Sequence, residues 1–396
     1  ITALSSGFDG LGERFNLLVR VRKPFENGRF CGRERKRGAL LDLNSLILRG
    51  DKSPFRVVRG DTFAKKYVIA LDADTRLDCA ERLVGIAEHP YNRKYAVLSV
   101  RAFAAPRSLK TLFARLAAGG SGLSDYDGAA SSGIEWEAFG VGNFTGKGLY
   151  RVEEFDRAVR GAFPDGRILS HDFIEGAYAK CGETRLGIID DFPESFGKYT
   201  ERNLRWLRGD WQLLPYLFPR VKDKSGKRVK NPLGAVERGH IFGNIASPLG
   251  CVFCFVLMVF AAVTGSLYAA LFSVLPLAVE ILFAGWQAPA LALKTSAVAV
   301  MRFAFFPVTT MLKLAAIAKT LVRLVTKKRL LEWKTFAHGK GVEFGLPQLF
   351  LAFAVFVLNL FLGRSAIVYG ACALFAIAVP FGAFSAEKSK PTTVPD

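Results

Sequence analysis

Asp72-Ala73-Asp74 closes the apolar run Tyr67-Val68-Ile69-Ala70-Leu71. A buried strand thus delivers two carboxylates to the carboxyl edge of a sheet, where open α/β folds bind ligands. Alternate strand residues point the same way, which aims Asp72 and Asp74 at one ligand. Divalent cations such as Mg²⁺ or Mn²⁺ take one or two such carboxylates and complete their shell with phosphate oxygens and water. These two residues are the candidate metal ligands, and the cation would neutralise charge building on a departing diphosphate. Asp172 follows Ile168-Leu169-Ser170-His171 and opens a helical pattern. A carboxylate there either caps the helix or accepts the proton of an attacking hydroxyl. In company with the other motifs it is assigned as the general base, with Glu175 one turn on as the reserve. Arg202, Arg205 and Trp206 stand at i, i+3 and i+4, on one helix face. Arginine matches phosphate oxygens bidentately, and an indole offers a platform for a sugar ring. An amphipathic helix lying on a membrane would also use this pattern, with Trp211 and Tyr216 at the interface.

Two further segments could meet phosphate. Gly32-Arg33-Glu34-Arg35-Lys36-Arg37-Gly38 is a cationic cluster that passes into a helical apolar rhythm. Lys36 then stands at a helix N-terminus suited to phosphate, unless the cluster is a solvated charged loop. Gly142-Asn143-Phe144-Thr145-Gly146-Lys147-Gly148 lacks the G-x-x-x-x-G-K-[ST] spacing, which excludes a nucleoside triphosphatase of that type. Its glycines let the backbone approach a sugar with Lys147 near the diphosphate, or simply make a turn.

The elements that must position these groups alternate. Strands are expected at 67–72, 96–101, 146–152 and 185–190, and helices at 80–88, 109–118, 153–159, 172–180 and 199–217, with Cys181-Gly182 stopping the fourth helix. That is an α/β pattern. The stretch 119–133 is a loop of small residues.

A chain of 396 residues with 51% hydrophobic and 12% aromatic residues is no disordered polymer and has room for two or three domains. Residues 1–238 hold 41 Lys and Arg against 30 Asp and Glu, and residues 239–396 hold 13 against 5. The excess comes with no RNA- or DNA-binding signature, so a nucleic-acid partner is not expected; sugar nucleotide and anionic lipid account for it better. Residues 239–279 form a run of 41 without Asp, Glu, Lys or Arg, where a spanning helix needs ~20. Spans are expected near 248–268 and 269–286, then at 344–363 and 365–386, the last two parted only by Arg364. Between the pairs, Lys313, Lys319, Arg323 and Lys327-Lys328-Arg329 recur among apolar residues, as in an interfacial helix near 309–335. The positive-inside tendency puts that helix, and the region before Gly239, on the cytoplasmic side. The six cysteines are expected to be free thiols, with Cys251 and Cys254 packed in the apolar run. The chain opens at Ile1 without a signal peptide, so it is expected to be a segment of a longer polypeptide.

In their order, these residues resemble processive glycosyltransferases of family 2, whose pattern is D-x-D, a later Asp, then Q/R-x-x-R-W before membrane helices. A closer likeness is to the synthase domain of cyclic β-1,2-glucan synthases, glycosyltransferase family 84. It rests on the 32–38 cluster, on Phe144-Thr145-Gly146-Lys147-Gly148-Leu149-Tyr150, on Leu169-Ser170-His171-Asp172, and on Arg205-Trp206-Leu207-Arg208-Gly209-Asp210-Trp211-Gln212-Leu213-Leu214-Pro215. The resemblance implies a GT-A type nucleotide-sugar transferase domain at 1–238, lacking its first βα unit. A transmembrane region of about four spans at 239–386 would follow, then 387–396 as a linker to a further domain. It also implies UDP-glucose as donor, a growing glucan as acceptor, an inverting transfer and a multi-pass place in the bacterial inner membrane. The third motif starts with Arg202 where many family 2 members have Gln, which fits the closer family. A cellulose-like or hyaluronan-like synthase is the rival of the same chemistry. A membrane anchor or transport module without catalysis is the rival from another class.

Overall fold

The computed structural model describes residues 16–24, 30–32, 34–59, 65–73, 75–77, 80–118, 133–287, 292–331 and 341–386. Asp74, Arg33, most of the small-residue loop and the 387–396 linker lie outside the described residues.

Two antiparallel ribbons open the described part, one pairing β1 (Leu17–Arg20) with β4 (Phe55–Arg59), the other β2 (Arg22–Pro24) with β3 (Phe30–Gly32); α1 (Arg35–Arg49) lies between β3 and β4. The central sheet has the spatial order β5 (Tyr67–Ala70), β7 (Gly148–Arg151), β6 (Val97–Ala104), β8 (Cys181–Asp190). Strand β7 runs antiparallel to both neighbours, while β6 and β8 are parallel. This antiparallel insertion has a chemical consequence. Ala70 pairs with Gly148 and Ala104 with Asp190, so the carboxyl ends of β5, β6 and β8 and the start of β7 all reach one edge.

Helices α2 (Ala80–Glu88), α3 (Leu112–Ala117), α4 (Gly133–Phe139), α5 (Val152–Val159) and α6 (His171–Ala179) connect or cover the strands. The alternation follows the sequence, with differences at the ends. Leu71 and Asp72 lie beyond β5 in the loop that follows it. Helix α6 ends at Lys180, whose φ of 58° breaks the helical path, and Cys181-Gly182 begin the next strand rather than filling a turn. The expected helix over 199–217 is α7 (Phe196–Gln212) followed by a short 3₁₀ turn, Leu214–Leu217. Pro215 cannot donate to a continuing helix. Trp211 and Tyr216 are buried in the core that joins the sheet to the helices beyond, so neither lies on a membrane surface.

After a small ribbon of β9 (Arg220–Lys222) and β10 (Arg228–Lys230), the chain is helical: α8 (Ala235–Thr264), α9 (Leu267–Gln287), α10 (Ala292–Ala304), α11 (Phe306–Thr326), α12 (Gly345–Leu358) and α13 (Ala366–Ala386). Among the described residues three stretches are long and apolar enough to cross a membrane: Ala235–Thr264, Gly345–Gly363 and Ala366–Ser385. The expected second span, near 269–286, falls within α9 (Leu267–Gln287), whose apolar part includes Leu267–Leu282. Ser296–Ala304 and Phe306–Thr326 meet at a bend of 68° and are apolar enough as a pair to make a broken span or a re-entrant loop. Helix α11 occupies the place of the expected interfacial helix, yet Pro307, Val308, Thr310, Ala316, Ile317 and Thr320 are buried in it and it packs along α7.

Packing crosses residue 238 without a break. One apolar cluster takes in Val97, Tyr150 and Ile174 from the sheet side, Leu207 and Trp211 from α7, and Ile241, Ile245, Ala316 and Ile317 from α8 and α11. A second joins Phe113, Phe192, Phe196 and Tyr199 to Met301, Phe305 and Phe344. Helices α7 and α11 contribute to both. The approach of α7 to the loop before α6 depends on Gly209, where a methyl group would collide with Ser170 Oγ. Gly239 in α8 has open space around it. Gly209→Ala is therefore expected to destabilise the intact protein by about 1–3 kcal/mol through overpacking. Gly239→Ala should raise stability slightly by the ordinary helix preference. Thermal unfolding of the two variants in detergent micelles checks the opposite signs.

Candidate functional site

A cleft of about 540 Å³ opens at the shared sheet edge, and Lys36, Asp72, Lys147, Asp172, Arg202, Arg205 and Trp206 all line it. Every described site candidate except the reserve base Glu175 therefore faces one space. Asp74, the second candidate metal ligand, lies outside the described residues. Asp72 sits just past β5, on a loop tied down by a reciprocal pair of backbone hydrogen bonds, 2.9 Å each, between Arg76 and Ile189 of β8. That bridge carries the loop over the end of β8, where Asp190 stands.

Asp72 is held between two ammonium groups. Lys36 Nζ donates to Asp72 Oδ1 at 2.7 Å, and Lys147 Nζ lies 3.2 Å from Oδ2. Lys147 also pairs with Asp190, which accepts a hydrogen bond from Thr75 Oγ1 at 3.3 Å. Partial burial would raise the Asp72 carboxyl, but Lys36 and Lys147 hold it below its usual range. Burial works against the Lys147 charge, and Asp190 and Asp72 overcome it, lifting its pKa. The 32–38 cluster divides its roles. Arg35 and Lys36 face the cleft, whereas Arg37 is buried over the ring of Phe163 and pairs with Glu34 at 2.9 Å.

Arg37 starts a second, inner network. Its Nε lies 3.5 Å from Glu175 Oε1. His171 Nδ1 donates to Glu175 Oε2 at 3.0 Å and stands 3.1 Å from Asp172 Oδ1. Glu175, the reserve base, is fully buried in this network, away from any substrate hydroxyl. Asp172 is the carboxylate that reaches the cleft. Among the described residues, His171, Asp172 and Glu175 are the cluster whose ligand atoms are close enough for a metal, but the imidazole N–H already joins the two carboxylates. Burial disfavours charge on His171, yet Asp172 and Glu175 together push its pKa up to about 9, so it is an imidazolium at neutral pH.

The base loop is clamped from α7. Gln212 Oε1 accepts from Leu169 N–H at 2.7 Å, and Gln212 Nε2 donates to Leu330 O at 3.0 Å, so one amide ties the loop to the segment after α11. Opposite, Gly146 adopts φ of 81°, and a Cβ there would meet Asp172 Oδ1 at 2.6 Å. The glycine-rich segment brings its backbone against the Asp172 carboxylate, where the sequence pattern leads one to expect a sugar. Arg205 lies where both Asp172 and Asp72 act on it: burial pulls its pKa down and the two carboxylates pull it up. Arg202 is buried, with its guanidinium 4.7 Å from the Trp206 ring centroid and within 5.7 Å of Phe192 and Tyr199. It braces the indole.

A second cavity, of about 440 Å³, opens on a different face of α7 among the apolar helices, bordered by Tyr199, Asn203 and Leu204 and by Cys251, Glu280, Arg302 and Lys313. Cys251 lies 3.2 Å from Lys313 Nζ and Cys254 is buried; Cys181, Cys251, Cys254 and Cys372 are free thiols.

The chain is similar in sequence to two named proteins. Over 392 residues the chain is 31% identical to the cyclic beta-(1,2)-glucan synthase NdvB of Rhizobium meliloti (strain 1021), an alignment that takes in 87% of this chain. The chain is a homologue of glucan synthases. A shorter match, 28% identity over 170 residues and 39% of this chain, is to the glucans biosynthesis glucosyltransferase H of Bradyrhizobium diazoefficiens. The chain spans 13% of the first relative's length, and its match to the second covers 22% of that protein. No family model matches the sequence.

Three participants escaped the motif reading. Asp190 was visible as a paired acid, Asp190-Asp191, at a strand end, the same signal that drew attention to Asp72. Gly209 and Gln212 sat inside a motif string without a chemical label. The raised His171 pKa makes a thermodynamic prediction. Folded His171 titrates near 9 against an ordinary 6.5. Its contribution is therefore full below about pH 6.5 and is lost as pH rises through about 9. Melting temperature followed across that window should fall more steeply in the native protein than in His171→Gln; equal slopes would remove the imidazolium.

Proposed function

We propose that the chain is the glucosyltransferase part of a membrane-bound glucan synthase. It would transfer glucose from UDP-glucose, with inversion, to a growing β-1,2-glucan, on the cytoplasmic face of a bacterial inner membrane. The observation that carries this reading is the convergence of Asp72, Lys147, Asp172, Arg205 and Trp206 on one cleft, in a chain homologous to glucan synthases. The mixed α/β sheet with its functional residues at one edge supports a GT-A type reading of the fold.

The chemistry assigns itself by charge. An acceptor hydroxyl attacks the anomeric carbon, its proton passes to an Asp172 carboxylate oxygen, and the bond from that carbon to the diphosphate breaks with its electron pair leaving on oxygen. His171, itself anchored by Glu175 and Arg37, orients the Asp172 carboxylate. Lys36, Lys147 and Arg205 supply positive charge where the diphosphate departs. Trp206, backed by Arg202, offers an aromatic face to the acceptor end. Carboxylate oxygens are the donors that Mg²⁺ or Mn²⁺ prefer, so Asp72 at the mouth of the cleft has the chemistry to hold a divalent cation together with Asp74 of the same motif. Bound there, the cation would act as a Lewis acid on the leaving diphosphate.

Asp172→Asn in the full-length protein should lower glucose transfer by about 10²–10⁴-fold while UDP-glucose binding, followed by calorimetry, stays near native. Retained turnover would remove the base assignment. Gly146→Ala, which crowds the same carboxylate, should act in the same direction. Radiolabelled UDP-glucose given to membranes carrying the intact protein should yield a β-1,2-linked product by linkage analysis. A β-1,4 product would favour the cellulose-like reading, and no incorporation would favour an anchor or transport role.

A further inference from the structure

The ribbon of β9 and β10 takes no part in the cleft. Residues 220–230 carry Arg220, Lys222, Lys224, Lys227, Arg228 and Lys230 against Asp223 alone. All six cations are exposed. The register sets Arg228 opposite Lys222, Val229 opposite Val221 and Lys230 opposite Arg220. The two valines turn inward, Val221 buried in the main core and Val229 packed against it. Side chains alternate across a strand, so Arg220, Lys222, Arg228 and Lys230 form a rectangle of four like charges on the outer face. Like charges directly opposite one another destabilise an antiparallel pair. Lys224 alone of the six has an ion pair among the described residues, 3.9 Å from Asp165.

The ribbon is nonetheless held rigidly. Asp223 Oδ1 accepts from Ser225 Oγ at 2.6 Å and from Lys227 N–H at 3.0 Å across the turn. Asn231 Nδ2 donates to Tyr216 O and Phe218 O at 2.6 and 2.9 Å, closing the base. A built ribbon that presents unmatched positive charge is made for an anionic surface. Its position says which. Only residues 231–234 separate β10 from α8, the first helix long and apolar enough to cross a membrane. Phe218, beside the ribbon, is exposed, as an aromatic at headgroup level would be. Basic clusters next to a spanning helix bind anionic headgroups within a Debye length of the surface.

We propose that the outer face of this ribbon docks on anionic lipid headgroups and thereby sets the height of the catalytic region over the bilayer. The test uses the full-length protein in nanodiscs of phosphatidylcholine alone or mixed with equal phosphatidylglycerol, read by hydrogen exchange of peptides covering 218–231. Exchange should slow by roughly 3- to 10-fold with the anionic lipid. The slowing should vanish at high salt and in the variant Arg220→Gln, Lys222→Gln, Arg228→Gln, Lys230→Gln. Lys222→Gln with Arg228→Gln, a milder change, should give an intermediate value and decides the matter if the fourfold variant unfolds. Equal exchange in both nanodiscs overturns the proposal, as does equal slowing in native and variant proteins. Protection by heparin in neutral nanodiscs, with none from phosphatidylglycerol, would assign the face to a soluble polyanion and also overturn it.

Discussion

Helix α7 reaches the base loop because residue 209 carries only a hydrogen where any side chain would strike Ser170. From that contact the rest follows. The Gln212 amide, three residues on, can grip Leu169 N–H and Leu330 O. Arg205 and Trp206, one turn back, come to the mouth of the cleft, and Asp172 is delivered to the guanidinium that also feels Asp72. Dense interiors transmit such a displacement instead of absorbing it. The cleft is assembled by close packing of the Ser170 side chain on the bare α7 backbone, and its charges are fitted to that frame.

Charge is settled in two tiers. Toward the cleft, Asp72 and Asp190 share Lys147, and Lys36 completes the set; these groups can exchange partners with a charged ligand. Inside, Arg37, Glu34, Glu175 and His171 satisfy one another away from water. Breaking one member of a buried set leaves its partner uncompensated, so the inner tier is rigid where the outer tier is adaptable. Asp172 stands at the boundary, its orientation coming from the inner tier and its exposure from the outer.

Much of this was legible in the residues. Strand and helix alternation came through hydrophobic period, and the grouping of Asp72, Lys147, Asp172, Arg202, Arg205 and Trp206 came through motif order. What stayed hidden depends on distances between segments far apart in sequence. Asp190 joins the site through the β6–β8 register, Arg37 turns inward because positive φ at Glu34 and Arg35 redirects the chain, and Glu175 is drawn inward by Arg37. Within the uncharged residues 239–279 the break between helices is set by Gly265, in the left-handed region beside Gly363, a contact between segments far apart in sequence.

Helix α7 lines the charged cleft with Arg202, Arg205 and Trp206 and lines the cavity among the apolar helices with Tyr199, Asn203 and Leu204. It is a septum one helix thick, about 10–12 Å with its side chains. The two chambers thus share a wall: Arg202 and Asn203 are neighbours in the chain, yet one borders the charged cleft and the other the cavity among the apolar helices. A tilt or rotation of that single helix would reshape both at once.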